Sequence, residues 1–131
     1  MSGLLPSSPW FSNGSPFIYG GLLAWAAEFT MGAAVYSTLS AGDVFATLDM
    51  HIRFTRPALV NSGHLSLMAT VNHRGRLLRV SSCNIDNSEG KRIAMATSSA
   101  LVVEGGVREL RKGRLPDEIL MGVNGAEGRA T

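Results

Sequence analysis

The sequence predicts an α+β domain in which one long helix, set early in the chain, is wrapped by a curved antiparallel sheet. Three observations predict it. The stretch "YGGLLAWAAEFTMGAAV", from Tyr19 to Val35, has the length and alanine content of a helix and is apolar on nearly every face. Four later stretches read as strands, and the first two alternate apolar and polar residues, as half-buried strands do. The connections between those stretches are short and rich in Gly, Pro, Asn and Ser, so successive strands return antiparallel.

The helix starts at Gly20 and is expected to end near Leu39, before "SAGD", where Gly42 serves as a stop. A helix apolar all round is expected to be enclosed, because a surface helix shows a polar stripe at the 3.6-residue period. In the first strand, "VFATLDMHIRFT", strict alternation places Val44, Ala46, Leu48, Met50, Ile52 and Phe54 on the buried face. Thr47, Asp49, His51, Arg53 and Thr55 then point the other way. Pro57 ends this strand, since proline donates no ladder hydrogen bond, and "NSG" at Asn61 to Gly63 makes a turn. The second strand, "HLSLMATVNH", buries Leu65, Leu67, Ala69 and Val71. "RGR" connects it to the third strand, "LLRVSSCNID", and a hairpin around Gly90 leads to the fourth, "IAMATSSALVV". A short edge strand is expected around Pro16 to Tyr19. From Gly105 the composition turns to mixed charge without a strand pattern. Residues 1–104 therefore read as one domain, and 105–131 as a tail with a short helix between Pro116 and Met121.

A chain of 131 residues holds one domain with a real core. Hydrophobic residues at 45% against 17% charged exclude a disordered chain, and no apolar run reaches the roughly 18 residues that suggest a membrane span. The opening lacks the basic start and apolar core of a signal peptide, and one cysteine, Cys83, makes no internal disulfide, so a cytoplasmic, reducing location is expected. The net charge of +2 comes mostly from arginine, which suits a phosphate-bearing ligand. One short basic run, "HRGR", without interleaved aromatics gives no nucleic-acid footprint.

Glu28 is the residue that asks for an explanation. No charged residue or histidine precedes it, and the next charge is Asp43. An ionised carboxylate buried without partners costs several kcal/mol. It therefore pairs with an arginine from elsewhere, binds backbone amides of a neighbouring subunit, or does chemistry as a general base or nucleophile. Gly20 and Gly21 favour the last reading: the first N–H groups of a helix lack intrahelical acceptors, and glycine lets a ligand approach them closely. The eight residues from Gly20 to Glu28 nevertheless span ~12 Å of helix axis, too far to serve one atom unless Gly20 lies in a loop that folds back toward the helix side or a water intervenes.

"YGGLLAWAAEFTMGAAV", "FATLDMHIRFTRP", "VNHRGRLLRV" and "DNSEGKRIAMATSSALVV" together resemble the hotdog-fold acyl-CoA thioesterases of the phenylacetate-pathway type, from about Gly14 to Val103. The resemblance implies a hotdog fold and an acyl-CoA substrate, with no cofactor beyond the coenzyme A of that substrate. It also implies a homodimer or homotetramer with active sites at the subunit interface. It makes Glu28 the catalytic carboxylate and the Gly20 amide the donor to the thioester carbonyl, with Gly21 beside it. Thr47 matches a Ser or Thr position near the reacting group, contributed by the partner chain, and Asn13 a position for orienting water or substrate. His73, Arg74, Gly75 and Arg76 match a motif beside the coenzyme A channel. Tyr19 stands where the family usually has histidine, which lets a non-catalytic acyl-CoA-binding protein stand as the alternative and argues against a hydratase. Many members carry a further strand and helix ahead of this region, so a missing N-terminal strand is expected.

The remaining polar residues read as structural. Asp49 shares its strand face with His51 and Arg53, and Arg53 is its expected partner. His64 sits beside a turn, expected in solvent, and Cys83 reads as a small core residue. The three histidines and one cysteine show no metal-ligand spacing. Thr47, Ser66, Ser81 and Ser98 are expected on an open polar face suited to assembly. Neither nucleic acid nor membrane is an expected partner.

Overall fold

The computed structural model describes residues 1–113. Its elements are β1 (Ser2–Pro6), a 3-10 turn (Pro9–Phe11), α1 (Gly20–Tyr36), β2 (Val44–Phe54), β3 (His64–Arg74), β4 (Leu78–Asp86), β5 (Arg92–Val103) and α2 (Gly106–Arg111). The five strands form one antiparallel sheet in the order β1-β3-β4-β5-β2. α1 lies across its concave face. Leu23, Ala27, Met31 and Ala34 of the helix pack on Leu65, Leu67, Cys83, Ile85, Ala94 and Ala96 of the sheet. The small residues let the helix approach the strands, and Leu65, Ile85 and Met31 fill the space between.

The four long strands lie where the sequence places them. Several other expectations need correction. A fifth strand, β1, is present at the N-terminus and pairs with β3, Leu4 opposite Ser66 and Leu5 opposite Leu65. Around Pro16 to Tyr19 there is no edge strand, only isolated bridges from Phe17 to Leu59 and from Ile18 to Ser12. α1 ends at Tyr36, where the Ser37 and Thr38 hydroxyls bond back to the Ala34 and Val35 carbonyls. The expected helix between Pro116 and Met121 lies outside the described residues, and α2 instead begins directly after β5.

Strict alternation fails in β2. Thr47 pairs with Ala100 and Asp49 with Ser99, so Leu48 is the extra residue of a β-bulge. Met50 and Ile52 reach the core as expected, but before the bulge the inward residues are Phe45 and Thr47, opposite buried Val102 and Ala100. Leu48 is 57% exposed. Ser81 and Ser98 likewise face inward and are buried, so they do not belong to an open polar face. Asp49 accepts the Ser99 N–H at 3.0 Å rather than pairing with Arg53.

α1 is not enclosed. The sheet covers one side and leaves a stripe with Gly21, Trp25, Glu28, Phe29 and Tyr36 in the open. Trp25 is 57%, Phe29 69% and Tyr36 53% exposed. The helix is apolar all round because its second face is an apolar surface, not because this chain surrounds it.

Candidate active site

Glu28 lies two turns into α1 on the open stripe, and among the described residues it makes no ion pair. Between that stripe and the edge strand β2 is an open groove of about 910 Å³, lined by Glu28, Thr47, Phe29, Gly32, Tyr36 and Phe45. The bulge at Leu48 is what turns Thr47 toward the helix and into the groove with Glu28. Two aromatic pairs form much of the wall: Trp25 and Phe29 stack with ring centres 5.9 Å apart, and Tyr36 meets Phe45 edge-on at 5.9 Å. Gly32 lets the Phe45 ring rest on the helix, since a Cβ there would lie 3.2 Å from its Cζ.

Gly20 opens α1. The first helical bonds run from the Leu22 and Leu23 N–H groups to the Tyr19 carbonyl, at 3.2 and 3.3 Å, so the Gly20 and Gly21 amides precede the ladder. Gly20 lines a separate pocket of about 360 Å³ with Phe54, Arg56 and Leu23. A Cβ on Gly20 would sit 3.0 Å from the Phe54 ring, whereas one on Gly21 would meet nothing within 4 Å. Tyr19 holds the N-cap position without a side-chain cap bond, its ring exposed. Within one chain, then, Glu28 and Thr47 line one groove, and Gly20 lines another.

Asn13 lies in an exposed turn, where its Oδ1 accepts the Ser15 N–H at 3.2 Å; it lines neither pocket. His73 and Arg74 end β3, and Gly75 and Arg76 form the turn into β4. This motif sits at the C-terminal end of α1. The Arg74 Nη2 donates to the Thr38 carbonyl at 3.0 Å, Gly75 donates to the Leu78 carbonyl at 2.9 Å, and Arg76 pairs with Glu104 at 3.6 Å on the surface.

Sequence reasoning missed Arg79, which is only 8% exposed. Its Nε donates to the Thr38 Oγ1 at 3.1 Å and its Nη1 to the Gly75 carbonyl. With Arg74 it holds the β3–β4 hairpin against the end of α1, where terminal carbonyls and the helix dipole favour cations. The available signal was an arginine at an inward position of an alternating strand. Cys83 is buried and burial pushes its thiol up, a backbone hydrogen bond to Met68 opposing, so it is no nucleophile at neutral pH. Among the described residues no three His, Cys, Asp or Glu side chains cluster as a metal site would need, and no helix is long and apolar enough to cross a membrane.

One long helix on the concave face of a five-stranded antiparallel sheet, with an acid on the open side of the helix, defines the hotdog class. The chain belongs to the thioesterase superfamily, whose family model matches residues 16–94. The BH2602 protein of Bacillus halodurans, solved with CoA, is 25% identical with a TM-score of 0.74, over 78% of this chain and 66% of that one. The chain thus spans just under two thirds of that relative's length. A phenylacetic acid degradation-related protein of Ralstonia eutropha JMP134 is 26% identical with a TM-score of 0.71, over 76% of this chain and 74% of its own. The PaaI protein from the phenylacetic acid degradation operon of E. coli shares the fold at 24% identity and a TM-score of 0.72, over 79% of this chain and 72% of its own. Among curated proteins none matches. The resemblance to hotdog thioesterases of the phenylacetate-pathway type is met by the family model and these neighbours.

Proposed function

We propose that the protein is an acyl-CoA thioesterase, with Glu28 as general base or nucleophile and the Gly20 amide as donor to the thioester oxygen. The observation that carries this reading is the presence of Glu28 and Thr47 in one largely apolar groove beside an edge strand of the sheet. In the general-base route Glu28 takes a proton from water, the hydroxide adds to the carbonyl carbon, and coenzyme A leaves as a thiolate that recovers the proton. In the nucleophilic route the carboxylate attacks the same carbon and expels coenzyme A as a thiolate, leaving an anhydride; water then opens it to the free acid and the restored carboxylate, and the proton released goes to the thiolate. Either way negative charge develops on the carbonyl oxygen, and an amide at a helix N-terminus is suited to receive it. The Thr47 hydroxyl, in the same groove, is proposed to hydrogen-bond the water or the acyl group.

We read the ~12 Å between Gly20 and Glu28 along one continuous helix as calling for a second copy of the chain. Among the described residues β2 is an edge strand of 11 residues, and we propose that antiparallel, twofold pairing across it brings the Gly20 end of one helix to the Glu28 of the other. The exposed Trp25, Phe29 and Tyr36 give such a homodimer its apolar surface, and a homotetramer is the larger assembly in keeping with it. His73, Arg74, Gly75 and Arg76 are proposed to take the phosphates of coenzyme A, Arg76 by exchanging its exposed, weakly held Glu104. The coenzyme A in the Bacillus halodurans structure supports this ligand class. The sole thiol, Cys83, fits a reducing, cytoplasmic setting.

The test is coenzyme A release, followed with a thiol reagent, from short, medium and aromatic acyl-CoA esters by wild type and by Glu28→Gln. Release by wild type, lost on substitution with the fold intact by circular dichroism, is the expected result; a fully active Glu28→Gln sinks the assignment. Tyr19, a phenol where the family usually has an imidazole, favours a second reading as a non-catalytic acyl-CoA-binding protein. Tight acyl-CoA binding without release would select it.

A further inference from the structure

One residue lining the groove that holds Glu28 and Thr47, Leu110, comes from outside the helix and its sheet. We infer that Leu110, carried back on α2, is the end wall of the acyl pocket and sets the longest acyl chain accepted, so that unbranched medium-chain acyl groups are the preferred substrates. The inference rests on the proposed thioester hydrolysis and names the substrate class of that same site.

Gly105 follows β5 with φ 67°, a conformation that glycine adopts without strain, and it turns the chain back. Its N–H donates to the Asp43 Oδ1 at 2.9 Å, and the Val107 N–H donates to the Gly42 carbonyl at 3.0 Å. Those two bonds tie α2 to the loop between α1 and β2. Leu110 therefore reaches the groove at the C-terminal end of α1, beside Tyr36, Ser37 and Val44. It keeps 46% of its surface exposed, area left for an occupant to cover.

The length available follows from the helix. Glu28 and Tyr36 are eight residues apart, ~12 Å at 1.5 Å per residue, which is the reach of an extended medium-length hydrocarbon chain. Between them the walls are Gly32, Ala33 and Phe45, with no charged group, so the stretch beyond the reacting carbon is apolar. An aromatic acyl group held at Glu28 would fill only the near part and leave the Leu110 end empty. A straight chain fills both.

The experiment measures kcat/KM over saturated acyl-CoA esters of increasing length, beside aromatic esters, for wild type, Leu110→Ala and Leu110→Trp. Met68→Ala, on the exposed outer face of β3, is the control. Wild type is expected to peak at medium length and fall beyond it. Leu110→Ala moves the peak to longer chains, raising the long-to-medium ratio about tenfold, the lower end of what one or two methylenes decide in an apolar pocket. Leu110→Trp moves it to shorter ones. Hydrolysis by wild type with the same length profile in both variants overturns the end wall and leaves the thioesterase reading standing. Highest rates on aromatic esters, indifferent to Leu110, overturn the acyl class. Wild type that releases coenzyme A from no ester overturns the thioesterase reading and this inference with it.

Discussion

Replacing Gly21 with alanine separates what the helix wants at that position from what a ligand wants. Gly21 is exposed in the first turn of α1, and a Cβ there meets no heavy atom within 4 Å. Glycine in a helix costs roughly 0.5–1 kcal/mol relative to alanine, so nothing among the described residues accounts for glycine here. The substitution should stabilise the fold by about 0.5 kcal/mol, the low end because the residue sits in the first turn, and raise Tm by ~2 °C. If a thioester carbonyl must come close to the Gly20 and Gly21 amides, the new methyl stands in its way. The loss in kcat/KM is then about tenfold, comparable with one misplaced methylene. Thermal unfolding by circular dichroism and coenzyme A release on the same preparation read both effects. A raised Tm with unchanged kcat/KM refutes the argument that a ligand approaches Gly21, and a lowered Tm refutes the open space above it. Gly20 gives no such separation, because alanine there would collide with Phe54 at 3.0 Å and shift a ring of its pocket as well.

Two further substitutions test the packing on which the site depends. Phe45→Ala removes a ring lying on Gly32 and Tyr36 and should cost about 2–3 kcal/mol in urea unfolding, while Leu48→Ala stays within ~0.5 kcal/mol; the reverse order would show that strand β2 alternates without its bulge. Arg79→Met leaves the Gly75 carbonyl and the Thr38 hydroxyl without their charged donor and should destabilise by ~2 kcal/mol, against less than ~1 kcal/mol for Arg76→Ala at the exposed Glu104 pair. Equal losses from the two arginines would remove Arg79 from its bracing role.

The four long strands were legible because the first two alternate in the sequence and all four are set off by turn residues. β1 was not, since "SGLLP" is five residues with Gly and Pro at an edge, and only Leu5 is buried. A bulge adds one residue without a compositional mark, and Leu48 continued the apolar alternation so well that the register change was hidden. That hidden residue decides the site: strict alternation sends Thr47 to the outer face with Asp49, and only the bulge returns it to Glu28. Glu28 itself was legible as the single charge among 42 residues. Leu110 was not, because its place in the groove depends on the turn at Gly105 and the two bonds to Gly42 and Asp43, which no periodicity records.

The solitary carboxylate also has a thermodynamic account that the sequence alone did not supply. Had α1 been enclosed on all sides, folding would have had to desolvate Glu28, at several kcal/mol, with no cation nearby. In the structure Glu28 is exposed, so folding a single chain leaves its hydration intact. The desolvation falls instead on the later steps, the proposed pairing of two subunits and the entry of an acyl chain. Those are the steps that cover Trp25, Phe29 and Tyr36, each more than half exposed and each worth on the order of 1.5–3 kcal/mol when fully buried. Apolar burial of that size is enough to offset a partly dehydrated carboxylate. Each of those steps removes water from the carboxylate, and desolvation disfavours the charged form of any carboxylate. The apolar stripe around Glu28 and the chemistry proposed for Glu28 are therefore linked: the surface that drives closure also dehydrates the acid at its centre.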